Sequence, residues 1–115
     1  MTRSASWVSG TAFVAAMRVP AVGFRITKGA PKRYLSPSDA GNAVSRWFCG
    51  DCGSPLYIQV ASRPDIVGLR VGTLDVPGEF HPEANIFVKS AQPWDRLDPA
   101  LPQYETYPPG RSYSR

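Results

Sequence analysis

The stretch Phe48-Cys49-Gly50-Asp51-Cys52-Gly53 constrains this chain more than any other, and it holds both of the cysteines in the sequence. Two thiolates at Cys-x-x-Cys spacing can grip one Zn²⁺ from a tight turn. Gly50 and Gly53 allow the positive φ angles that aim backbone amides at the sulfurs. A structural zinc site takes four ligands, and the sequence shows two of them here. Three readings are therefore open for Cys49 and Cys52: half of a zinc site, a redox dithiol, or a knuckle left with two free thiols. The redox reading wants a thioredoxin-like βαβ context. Here an aromatic, strand-like run precedes the pair and Pro55 follows closely.

The flanks of the turn define a hairpin. Val44 to Phe48 alternates apolar and polar residues, and Pro55 to Val60 does so on the way out, so the two segments are expected to pair antiparallel with both cysteines at the tip. Other segments read similarly. Thr11 to Val19 is an apolar strand closed by Pro20, with a helix as the competing reading because Ala15, Ala16 and Met17 are good helix formers. Gly23 to Ile26 and Lys32 to Leu35 read as short strands, and Ile66 to Leu74 as a longer one. Its Gly68 and Gly72 suggest a bulge or a close backbone approach. Ala84 to Val88 is a further strand, and from Ser90 onward the chain becomes Pro-rich coil. About eight short strands separated by turns predict a mainly β single domain. The high counts of Pro (12) and Gly (10) agree with that expectation.

Composition narrows the partners. At 115 residues the chain is one domain. Net charge is +4, yet the basic residues are scattered and Lys32-Arg33 is the one adjacent pair, so a nucleic-acid surface, which clusters its charge, is not expected. No apolar run approaches the ~20 residues of a membrane span, and Ala5 to Val19 is too interrupted for a signal peptide. The chain reads as a soluble cytoplasmic protein with reduced cysteines.

Taken in order, Ser9-Gly10-Thr11-Ala12-Phe13, Gly23-Phe24-Arg25-Ile26-Thr27-Lys28-Gly29, Tyr34, Arg46-Trp47-Phe48-Cys49-Gly50-Asp51-Cys52-Gly53-Ser54-Pro55-Leu56, Val71-Gly72-Thr73-Leu74-Asp75, Ile86, Pro93-Trp94 and Leu101-Pro102-Gln103-Tyr104 form one pattern. It resembles the glutathione-dependent formaldehyde-activating (GFA) family, also called the CENP-V/GFA domain, from about Ser9 to Tyr104. The resemblance implies an Mss4-like, mainly β fold with bound zinc. It implies a zinc-dependent carbon–sulfur lyase-type function on glutathione or other thiol adducts of small aldehydes. In that family an N-terminal Cys-x-Cys joins a downstream Cys-x-x-Cys on a structural zinc, and a second Cys-x-Cys-x-x-Cys, just before the Ser-Gly turn, holds a catalytic zinc. Three thiolates leave that metal one open position for substrate.

Cys49 and Cys52 fall on the structural pair. The catalytic positions do not match: by spacing from Ser9-Gly10, Thr2 and Ala5 stand where the last two thiolates would be. The N-terminal Cys-x-Cys would fall before Met1, and Asn85 stands where the family often has His. Two explanations are open, a chain that starts inside the domain or a diverged member that lost its metals. The alternative function is a non-catalytic, degenerate domain serving as a binding or scaffold module. The resemblance implies residues 1–104 as an N-terminally incomplete domain and 105–115 as a flexible tail. No catalytic residue is assigned, and metal ligation is expected at Cys49 and Cys52, with two copies able to share one zinc across a homodimer. His81 reads as a surface residue, Asp51 as a turn residue, and Asp75 as a cap of the following turn. Trp47, Phe48 and Trp94 are expected to fill the core.

Overall fold

The computed structural model describes residues 10–37, 43–106 and 108. Five antiparallel strands build one sheet: β1 (Ala16–Pro20), β2 (Lys32–Pro37), β3 (Ala43–Phe48), β4 (Pro55–Val60) and β5 (Arg63–Arg70). Their order is β1-β5-β4-β3-β2, so β2 to β5 form a meander and β1 closes the far edge against β5. The helical alternative for the first apolar segment is excluded, since Ala16–Pro20 is strand and Pro20 ends it.

The hairpin expected around the cysteines is present. Val44 faces Val60, Arg46 faces Ile58 and Trp47 faces Tyr57. The register then shifts between Trp47 and Phe48, and Phe48 faces Pro55. This bulge leaves Leu56 out of the ladder at the mouth of the turn.

Alternation gives the sheet two different faces. One row crosses all five strands as Arg33, Trp47, Tyr57, Leu69 and Met17. Trp47 and Tyr57 stack at 5.7 Å, the Phe24 ring meets the Tyr57 ring edge-on at 4.7 Å, and the Arg33 guanidinium lies 5.7 Å over Trp47. The Trp47 Nε1–H donates to Gln59 Oε1 at 2.9 Å. Val67, on the same face two residues from Leu69, is fully buried. The next row, on the opposite face, runs Tyr34, Arg46, Ile58, Gly68 and Arg18. There Gly68 makes a close approach, because a Cβ on it would stand 3.0 Å from Ile58 Cγ1.

Several expected elements are different. Five strands form the sheet among the described residues, fewer than the alternation suggested. Gly23 to Ile26 is not a strand. After Pro20 the chain makes a 3-10 turn over Ala21–Gly23, and Phe24 leaves it extended with its ring laid on Tyr57 instead of pairing with a neighbour. Ala84 to Val88 is not a strand either, because Phe87 sits in the left-handed region at φ 55, ψ 37, through which an extended run cannot continue. Asn85 makes a single bridge to Gln103, and the segment hydrogen-bonds residues 102–106. The long strand starts at Arg63 rather than Ile66 and ends at Arg70, where Val71–Thr73 turns. Pro64 is tolerated because it precedes the stretch covered by β1, which begins at Ile66.

Trp94 was expected in the core and is 67% exposed. Asp75 does not cap the Pro77–Glu79 turn, whose cap residue is Val76 without a side-chain bond. Residues 38–42, the positions of Thr2 and Ala5, and most of the expected tail lie outside the described residues.

The two-faced sheet makes a stability prediction. Val67→Ala removes two buried methyl groups and should cost about 2 kcal/mol. Val22→Ala, at a side chain 97% exposed, should stay within ~0.5 kcal/mol. Urea unfolding of both variants checks this, and equal costs would contradict the placement of the core.

Candidate functional site: the cysteine turn and the adjoining arginine cavity

The turn between β3 and β4 is closed by its own backbone. The Cys49 N–H donates to the Ser54 carbonyl at 2.9 Å, and the Gly53 N–H donates to the Cys49 carbonyl at 2.8 Å. Gly53 holds φ +80, a conformation that residues with a Cβ adopt at a cost. Gly50 lies under the stem of Lys32, which faces Phe48 across the β2–β3 pair, and a Cβ there would approach Lys32 Cε to 3.1 Å.

The two sulfurs are brought together. Cys49 is half-buried and Cys52 exposed, and both are free thiols. Cys52 Sγ lies 3.1 Å from Ser54 Oγ. Hydrogen bonds from the Ser54 hydroxyl, the Ser54 backbone and the Cys49 side chain hold the Cys52 thiol below the ordinary thiol range, against weaker opposition from burial and the Asp51 charge. Contacts of this kind favour the thiolate form of a cysteine over the thiol.

The structure does not gather further ligands around the pair. Among the described residues no group of three or more His, Cys, Asp or Glu side chains is placed to hold a metal. His81 is exposed, and Asp51 is an exposed turn residue, as expected. Two sulfurs with Cys-x-x-Cys spacing fit half of a tetrahedral zinc set, and the chain's described residues do not close it.

Beside the turn lies a shallow cavity of about 140 Å³, lined in part by the Tyr34–Arg18 row and also by Trp47 and Tyr57. Its lining includes Tyr34, Arg46, Phe48, Gly53, Ile58 and Arg70. Arg46 Nε donates to the buried Ser36 Oγ at 3.1 Å. Arg70 is partly buried, and desolvation together with the Arg46 charge pushes its pKa down to about 10, which still leaves it cationic at neutral pH. No carboxylate pairs with Arg70 among the described residues. Sequence reading missed this pair of arginines. The available signal was a charge at the end of the apolar run Ile66 to Leu69, since a cation inside a strand is seldom buried without a partner.

Among the described residues, one antiparallel sheet carrying a Cys-x-x-Cys turn at a hairpin tip defines a small, mainly β domain. The family model described as glutathione-dependent formaldehyde-activating enzyme matches residues 5–90, more than half of the chain, and the chain belongs to that family. The mainly β architecture is consistent with the Mss4-like fold expected for it. No curated protein matches the chain. No helix of the described residues is long and apolar enough to cross a membrane.

The thiol geometry is testable in the metal-free protein. Hydrogen bonds that stabilise the thiolate lower the pH at which Cys52 becomes nucleophilic. Ser54→Ala removes one of them and should move the midpoint of iodoacetamide alkylation of Cys52 upward in pH. Peptide mass mapping across a pH series would show it, and an unmoved midpoint would argue against the Ser54 contact.

Proposed function

We propose that the chain retains the ligand class of its family, thiol adducts of small aldehydes such as that of glutathione with formaldehyde. It binds them without the turnover of a zinc-dependent carbon–sulfur lyase-type enzyme. The observation that carries the reading is the preserved Cys49–Cys52 turn, with its sulfurs facing each other beside a cationic cavity, in a chain matched by the family model over residues 5–90. Loss of turnover rests on the sequence: the chain has two cysteines, both in this turn, and Thr2 and Ala5 stand where the family's catalytic thiolates are expected. Alanine has no donor atom, and the thiolates supply most of the affinity at such a site.

Zinc is proposed at Cys49 and Cys52, where it would be structural and would tie down the hairpin tip. Its remaining ligands would come from a second chain or from solvent. The two free cysteines suit a reducing compartment, so the cytoplasm is the proposed location.

A catalytic reading, in which the chain is itself a carbon–sulfur lyase-type enzyme, is favoured by the family match alone. Purified protein supplied with glutathione, formaldehyde and zinc decides between the two. Adduct formation at the background rate, with the adduct detectably bound, is the expected result. Zinc-dependent acceleration abolished by a chelator would establish the catalytic reading instead.

If zinc is shared between two chains, metal content and dimer fraction should rise together, because binding energy at such a site is also assembly energy. Metal analysis beside sedimentation measures both. Stoichiometric zinc on a strict monomer, indifferent to Cys49→Ser and Cys52→Ser, would remove the pair from the site.

A further inference from the structure

The cavity beside the cysteine turn carries a cation whose charge nothing described in the chain balances. Arg70 closes β5 two residues beyond Gly68 and shares a sheet face with Arg46, Ile58 and Tyr34. Arg70 and Arg46 are both among the residues that line the cavity. Like charges on one small cavity repel, and that repulsion is part of what lowers the Arg70 pKa. A partly buried cation without a counter-charge is costly, and a bound anion offsets both the desolvation and the repulsion.

We propose that Arg70, assisted by Arg46, binds a carboxylate of the small-molecule ligand in this cavity. The proposal rests on the thiol-adduct reading above for what the rest of that ligand is. Four observations favour a carboxylate carried on an organic molecule. The guanidinium fork matches the two oxygens of a carboxylate. Arg46 is fixed at its Nε by Ser36, so its orientation is set before a ligand arrives. The walls Tyr34, Phe48 and Ile58 are largely apolar and give the carbon skeleton a surface to lie on. The volume of about 140 Å³ is many times the ~10–15 Å³ that one water needs, yet it suits one end of a peptide-like ligand rather than a whole polymer. Gly53 of the cysteine turn forms part of the same lining, so a ligand anchored at Arg70 by its carboxylate lies alongside that turn.

Arg70 acts here as a specificity-determining residue, and the test is a binding measurement on the full chain by NMR titration. The probes are glutathione, glutathione amidated at its glycine carboxylate, N-acetylglycine and inorganic phosphate. Wild-type protein should bind glutathione and N-acetylglycine, with shifts in the amides of Arg46, Ile58 and Arg70. Arg70→Gln should weaken glutathione by tenfold or more, and Arg70→Lys by a smaller factor because the fork is lost. Amidated glutathione, on unmodified protein, should lose affinity comparably, which keeps the test independent of any variant's folding. Glutathione binding unaffected by Arg70→Gln and by amidation would overturn the carboxylate subsite while leaving the thiol-adduct reading intact. N-acetylglycine bound in an Arg70-dependent way, with glutathione not bound, would support the subsite and defeat the thiol-adduct reading. Phosphate binding more tightly than either carboxylate would overturn the assignment in favour of an inorganic anion site.

Discussion

The antiparallel pairing of β3 with β4 is the constraint on which the rest depends. Setting Trp47 opposite Tyr57 fixes three things at once. It stacks Trp47 on Tyr57, whose ring receives Phe24 edge-on and so gives the 21–24 segment its place on the sheet. It puts Arg46 opposite Ile58 on the other face, because side chains alternate. It also brings the ends of the two strands together, so that a six-residue connection from Cys49 to Ser54 must fold back on itself. A slip of one residue would exchange the faces, taking Trp47 out of the aromatic row and putting Arg46 into it.

The two faces serve different purposes because their rows have different chemistry. The Trp47 row is aromatic and aliphatic at its centre and has a cation only at its edge, where Arg33 lies over an indole. Such a row supports burial, and Tyr57 and Val67 are indeed buried. The Arg46 row mixes two guanidinium groups with Tyr34, Ile58 and a glycine. It cannot close into a dry core without stranding charge. The same face also buries Ser36 and the Val44–Val60 pair beside that row, so the cations take up one part of the face and packing the other.

What the sequence made legible was local. The Cys hairpin, its flanking strands and the positive φ of Gly53 were readable because period-two alternation, Pro boundaries and turn glycines act over a few residues, while Gly50 does not take the positive φ expected of it. The close approach at Gly68 was legible for the same reason. Alternation misled where an extended segment found no partner: Gly23 to Ile26 has the pattern of a strand, but Phe24 is drawn onto Tyr57, a choice made by tertiary packing. At Ala84 to Val88 the single left-handed residue Phe87 defeats the pattern, and nothing about phenylalanine announces such a conformation. The arginine cavity was illegible for a deeper reason. Arg46 and Arg70 are far apart in the chain, and only the order β5-β4-β3 brings them onto one face, on the two strands that flank Ile58.

Gly68 then has a meaning beyond backbone freedom. Ile58 leans into the space that a side chain at 68 would occupy, with its Cγ1 3.0 Å from the position of the missing Cβ. Ile58 is also part of the cavity lining. The depth of the cavity is thus gauged by an absent methyl group on the neighbouring strand. Any residue larger than glycine at 68 must move Ile58, and the room available to a ligand would change while both arginines kept their places in the sequence. A drift in the shape of the cavity would begin there, at a position that carries no charge and is not itself part of the lining.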